Sequence, residues 1–133
     1  GVSIDLIVRG VCTLRPGIPG ISENIRVRSV LGRFLEHSRV FYFYNGGAED
    51  IYLSSADWMD RNFFRRIEIC FPVLEPRLKK RVLREGLTPY LGRDVECWEM
   101  DATGQYRFRR GKRGPGGHAQ TMLLDLLAAK VDS

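Results

Sequence analysis

The chain has 133 residues, 44% of them hydrophobic, which suits one globular domain with a single core. Lys and Arg outnumber Asp and Glu by 21 to 16, and the resulting formal charge of +5 favours a polyanionic partner: nucleic acid, anionic lipid or a phosphate polymer. No run approaches the roughly 20 apolar residues that span a bilayer, no basic-then-apolar leader opens the chain, and Cys12, Cys70 and Cys97 lack metal-ligand spacing.

In chain order, Ile4 to Val8 is a short branched apolar run. It reads as a buried, central parallel strand that delivers Arg9 to its end. Pro16 to Gly20 holds two Pro and two Gly and must be loop. Ile25 to Val30 alternates so that Arg26 and Arg28 share one face of an extended segment. Arg33 to Glu36 is expected to turn helically. Val40 to Tyr44 is aromatic and β-prone, Asn45-Gly46-Gly47 signals a hairpin, and Asp50 to Ser54 returns.

Met59 to Arg66 reads as a short helix and Ile67 to Val73 as another strand. Glu75-Pro76 opens a helix whose apolar stripe is Leu78, Val82, Leu83 and Leu87. Val95 to Met100 and Gln105 to Arg109 flank a turn and make a second hairpin. Gly111 to Gly117, with four Gly and one Pro, reads as a mobile loop. Ala119 to Val131 closes the chain as an amphipathic helix with Met122, Leu123, Leu126, Leu127 and Val131 on one side. Alternating strands and helices argue for an α/β fold built on a mixed sheet. Each cysteine lies in an apolar or strand-like run and is expected to fill core as a reduced thiol, consistent with the cytosol.

Several segments carry a resemblance. Ile-Val-Arg-Gly, Leu-Arg-Pro-Gly-Ile-Pro-Gly (14–20), Asn-Ile-Arg-Val-Arg-Ser (24–29), Phe-Leu-Glu-His-Ser-Arg and Ser-Ser-Ala-Asp-Trp-Met (54–59) resemble, in order, the last domain of bacterial polyphosphate kinases. The match is specific through Pro72 and weaker beyond. It implies a phospholipase-D-like mixed sheet flanked by helices, a single domain over residues 1–133, cut from a larger enzyme. The start at Gly1 fits that expectation.

The resemblance also implies a chemistry. The parent enzyme would transfer the terminal phosphate of ATP reversibly to polyphosphate through a phosphohistidine, with Mg²⁺. That histidine would lie in the preceding domain, absent here. The last domain would contribute an arginine and a histidine to the ATP phosphates, which fall on Arg9 and His37. The implied partners are ATP or ADP, polyphosphate, the upstream domains of the same chain and further copies in a homo-oligomer, with no specific nucleic acid. The implied location is cytoplasmic, at most peripheral to the inner membrane.

Independently of the resemblance, His37 can hydrogen-bond phosphate or act as a general acid or base. Arginine offers a planar fork for phosphate oxygens. Arg26, Arg28, Arg33 and Arg39 are candidates for a polyanion path, against the plain alternative of a solvated face. For Arg9 the plain alternative is a salt bridge to Asp57 or Glu36. No metal-binding residues are identified. His37 and Arg39 with Ser54, Ser55 and Asp57 also resemble the His-x-Lys…Gly-Ser-x-Asn pattern of the phospholipase D superfamily. Arg39 stands for Lys, Asp57 for Asn and Ser54 for Gly, and Tyr44 occupies the place of an expected acidic residue.

Two other functions stay open. One is a phospholipase-D-like phosphodiesterase or nuclease half-site, against which the altered Lys and Asn positions count. The other is a nucleic-acid-binding module resting on Arg107 to Arg113, where aromatics interleave with basic residues. That run fits an edge strand, where charge discourages pairing, better than a ligand surface. His118, in its Gly-rich turn, reads as an exposed residue near a helix start.

Overall fold

The computed structural model describes residues 1–111 and 118–129. The expected loop from 112 to 117, the end of the basic run (Lys112 and Arg113) and Val131 lie outside the described residues. The chain forms two compact units, Gly1–Glu36 with Pro89–Ser133, and His37–Thr88.

The first unit contains a four-stranded mixed sheet. Its strands are β1 (Ile4–Val8), β2 (Ile25–Ser29), β6 (Cys97–Met100) and β7 (Tyr106–Arg109), in the order β1-β2-β6-β7. β1 and β2 run parallel, from Ile4 opposite Ile25 to Val8 opposite Ser29; the other pairs are antiparallel. β1 is therefore at an edge of the described sheet, not central, and its residues are exposed or half-buried. Branched side chains still favour the strand, because they fit a pleated surface that is only partly covered. The core gathers Val30, Val95, Cys97 and Ala119, with Ile7, Tyr90 and Met122 packed against them.

Ala119 heads the last helix, α4 (Ala119–Ala128). The helix buries its first turn, and Leu126 and Leu127, expected on the covered side, are exposed at 36% and 39%. The second hairpin forms as expected. Its turn is set by the Asp101 carboxylate, which accepts from the backbone N–H of Thr103 and of Gln105, and by Gly104 at φ 86°. β7 is the opposite edge, and Arg107 and Arg109 pair with Asp101 and Glu99 of the same hairpin, at 3.0 and 2.8 Å.

The second unit holds an antiparallel sheet of β3 (Val40–Phe43), β4 (Asp50–Ser54) and β5 (Cys70–Pro72) in that order. The strands thus divide between two sheets. The β3–β4 connection is a 3₁₀ turn at Asn45–Gly47, where Gly46 and Gly47 take φ of 63° and 99°. Asn45 itself tolerates a positive φ of 43° and donates to Asp50 at 2.7 Å.

Helix α1 (Asp60–Arg65) follows β4. Helix α2 (Pro76–Val82) begins at the Glu75-Pro76 signal, with the Glu75 carboxylate accepting from the backbone N–H of Arg77 and Leu78 at 3.0 and 2.8 Å. It loosens into a π turn at Leu83–Leu87 before α3 (Thr88–Leu91). No helical turn forms over Arg33–Glu36, where a bend at Arg33 and Phe34 leads into irregular chain. Of the cysteines only Cys97 is core; Cys12 is half-buried and Cys70 exposed. Among the described residues no helix is long and apolar enough to cross a membrane.

Candidate functional site

In the first unit, Arg9 directly follows β1 and the chain turns at once at Gly10, whose φ of 104° suits glycine. The turn is tied by the Gly10 N–H to Ser29 Oγ and by the Tyr106 hydroxyl to the Gly10 carbonyl, at 3.3 and 2.8 Å. Arg9 is exposed, not buried, and its Nη1 donates to the backbone carbonyl of Glu36 at 2.6 Å. The anchor is a carbonyl, not the carboxylate of the salt bridge weighed as the plain alternative. The Glu36 carboxylate is occupied elsewhere, accepting from the Tyr90 hydroxyl at 3.0 Å and Gln120 Nε2 at 2.8 Å.

Gln120 is 8% exposed and also exchanges a bond pair with Phe34. Its Oε1 accepts from the Phe34 N–H at 2.8 Å and its Nε2 donates to the Phe34 carbonyl at 2.7 Å. Gly32 lies so close that a Cβ there would strike the Gln120 amide. Burial, and then the negative charge of Glu36, push the Tyr90 hydroxyl far up, so it stays a neutral donor. The clamped segment and Arg9 line a hollow of about 250 Å³.

The other cationic candidates of this unit differ. Arg33 is exposed in the same hollow, its guanidinium 5.6 Å from the Phe34 ring centre. Arg26 and Arg28 do share a face, where both meet Asp5, at 2.8 and 3.9 Å. Arg28 is further tied to the carbonyls of Tyr90 and Leu91 and is largely covered, whereas Arg26 is open. His118 is half-exposed and caps α4 by position, with Nε2 2.9 Å from Glu96.

In the second unit, His37 is exposed just before β3. Arg39 is only 16% exposed at its side chain. Its Nε and Nη2 both donate to Asp57 Oδ1, at 3.0 and 2.8 Å. Its Nη1 reaches His37 twice, at Nδ1 and at the backbone carbonyl, each 3.0 Å. Nη2 also reaches His37 Nε2, at 3.5 Å, so the guanidinium lies against both ring nitrogens, with Nδ1 the nearer. His37 and Arg39 stand at one end of an apolar cleft of about 810 Å³, walled by Leu53, Phe71, Leu78 and Val82. Glu68, beneath the Ser55 hydroxyl and Asn62 amide, is held below the usual carboxylate range by those two hydrogen bonds.

Residues 1–120 match the family model described as polyphosphate kinase C-terminal domain 2. The chain belongs to that family. It is 59% identical over 127 residues to a polyphosphate kinase of Paraburkholderia phytofirmans, covering 96% of this chain and 18% of the relative. It is 64% identical over 110 residues to one of Burkholderia cenocepacia, covering 83% and 16%. The crystal structure of polyphosphate kinase from Porphyromonas gingivalis superposes with a TM-score of 0.85 at 39% identity, over 97% of this chain and 20% of that one. The chain thus spans a fifth or less of the relatives it matches, and as a polyphosphate kinase C-terminal domain 2 it carries the mixed α/β fold of that family.

Sequence reasoning singles out Arg9, His37 and Arg39 and names Glu36 as a partner for Arg9, though for its carboxylate and not the carbonyl that holds the arginine. Tyr90 and Gln120 drew no notice. For Gln120 a signal existed: helical spacing puts it on the face of Leu123 and Leu127, where a polar side chain needs a partner. Asp57 was noted only as a departure from a motif and as a partner for Arg9.

Proposed function

We propose that this chain is the nucleotide-phosphate-binding end of an ATP:polyphosphate phosphotransferase. The full-length enzyme reversibly transfers the terminal phosphate of ATP to polyphosphate through a phosphohistidine on a preceding domain. Arg9 presents its guanidinium fork, and His37 its imidazole, to the phosphates of ATP. Of the candidates for the polyphosphate path, the open Arg26 and Arg33 are the better placed, Arg28 and Arg39 being largely covered. Family membership over residues 1–120 carries the reading.

The phospholipase D relation is part of this proposal, as are assembly into a homo-oligomer and a cytoplasmic location. Mg²⁺ would accompany the nucleotide. Among the described residues no three His, Cys, Asp or Glu side chains converge to hold a metal, and neither role proposed for Arg9 and His37 depends on one.

The test compares this chain with the full-length enzyme in γ-labelled ATP, Mg²⁺ and polyphosphate. The full-length enzyme takes an acid-labile, base-stable label and elongates polyphosphate, while the chain alone stays unlabelled. Label on His37 would make this domain self-sufficient and overturn the division of labour. Hydrolysis of a phosphodiester without phosphate transfer would favour the nuclease-like alternative.

A further inference from the structure

We propose that Arg39 and Asp57 are positioning residues for His37, fixing where its imidazole stands, and that Arg39 does not itself hold the phosphate polymer. This rests on the reading of His37 as a phosphate-contacting group. Arg39 is the one cation among the path candidates that touches a proposed ligand-binding side chain. Two of its three nitrogens are committed to Asp57 Oδ1 and the third to His37 Nδ1 and the His37 carbonyl. A guanidinium so engaged, and mostly covered, has little left to offer a mobile polymer.

The carboxylate at the base of this chain is itself fixed. Asp57 lies in the turn after β4. There the Ala56 N–H donates to Ser54 Oγ at 3.1 Å and the Met59 N–H to the Asp57 carbonyl at 2.8 Å. The adjoining Trp58 meets Phe41 of β3 at a tilt and Phe63 of α1 edge-on, with ring centres 6.1 and 6.3 Å apart. Arg61 approaches the other Asp57 oxygen at 3.8 Å, which further limits its rotation. The order of support is thus turn, carboxylate, guanidinium, imidazole. Its consequence is a ring held in one place against Arg39, with Nδ1 3.0 Å and Nε2 3.5 Å from the two Nη atoms. A lysine at position 39 would keep the charge but not this geometry, because an ammonium cannot bridge a carboxylate, a ring nitrogen and a carbonyl in one plane.

The test is a double-mutant cycle in the full-length enzyme, with Arg39→Lys and His37→Ala alone and together, kinetics with ATP and polyphosphate, and thermal midpoints throughout. Arg39→Lys is expected to lower kcat by about tenfold, with KM for polyphosphate little changed. In the His37→Ala background it should have no further effect, because a positioning residue has nothing left to position. Asp57→Asn keeps the accepting oxygen and should retain most of the activity, whereas Asp57→Ala should resemble Arg39→Lys. Full activity in Arg39→Lys, or losses that multiply with that of His37→Ala, would overturn the proposal; the second outcome would place Arg39 on the substrate directly. If Asp57→Ala does not fold, the cycle and the Asp57→Asn comparison decide alone. Wild-type activity in His37→Ala would instead sink the reading of His37 on which the proposal rests, whatever Arg39 does.

Discussion

Arg9 and His37 are both exposed at strand ends, yet the two units hold them by different chemistry. Arg9 is gripped by a backbone carbonyl at the end of a segment that Gln120 and Tyr90 clamp with uncharged donors. His37 is gripped by a side chain, an arginine in an ion pair with Asp57. A carbonyl restrains the guanidinium at one nitrogen and leaves the rest of the fork free to turn toward a ligand. A charged side chain against both ring nitrogens fixes where the imidazole stands. The first arrangement suits a residue that needs reach, and the second a residue that must keep one position.

The contrast breaks most readily at His37. Removing the side chain deletes a donor to a charged oxygen, worth about 1.5–3 kcal/mol, or roughly ten- to a hundredfold in kcat/KM. His37→Ala of the full-length enzyme should show that loss without a lower thermal midpoint, since an exposed side chain contributes little core area. His37→Gln should recover much of it, because an amide N–H can replace a ring N–H. Gln as poor as Ala, with a loss of about 10²–10⁴, would make His37 a proton-transferring group instead.

Arg9→Lys comes next, with an expected loss of about tenfold in kcat/KM. Lysine can keep one bond to the Glu36 carbonyl, so folding should survive while the fork on phosphate is lost. Full activity with a lower melting temperature would make Arg9 a structural residue and erase the distinction between the two grips.

What the sequence revealed follows the same division. Local signals were legible: Asn45-Gly46-Gly47 gave the β3–β4 hairpin, Glu75-Pro76 gave the start of α2, and β7 took its place at an edge. Long-range placement was not. The run Ile4 to Val8 is apolar enough for a central strand, and nothing within it says that it pairs on one side only among the described residues. The site showed the same limit. His37 and Arg39 are adjacent in sequence and were found together, whereas the Gln120–Phe34 and Tyr90–Glu36 bonds join residues 86 and 54 positions apart. Spacing within one element carries no information about them. The helix expected over Arg33 to Glu36 failed for this reason, because Gln120 binds the Phe34 N–H and carbonyl that a helical turn would use.

The clamp itself gives a smaller, mainly structural prediction. Gln120→Leu leaves the Phe34 N–H and carbonyl and the Glu36 carboxylate each short of a partner, at about 1–3 kcal/mol for a buried group left unsatisfied. A lower melting temperature of the full-length enzyme should accompany a raised KM for ATP, because the carbonyl that restrains Arg9 moves with the segment. Arg39→Lys, by contrast, should change kcat with little loss of stability. Equal stability losses in the two variants would mean that the grips differ in form but not in consequence.

The smallest effect concerns acid. Each unit has a carboxylate held low by neighbouring donors: Glu68 by Ser55 and Asn62, and Asp101, lowered to about 2, chiefly by the Thr103 hydroxyl. A depressed folded-state value means the ionised form is favoured by folding. The contribution of Asp101 is therefore complete above the ordinary Asp range near 3.8 and disappears as pH falls toward about 2. The β6–β7 turn should keep its Thr103 and Gln105 N–H bonds at pH 4 and lose them only in stronger acid. Carboxyl chemical shifts of Asp101 against pH measure this directly, and Asp101→Asn should abolish the low transition while leaving activity at neutral pH close to normal. A midpoint near 3.8 would show that the turn exerts no hold on its carboxylate, leaving the Glu36 network as the more strongly ordered polar feature of the first unit.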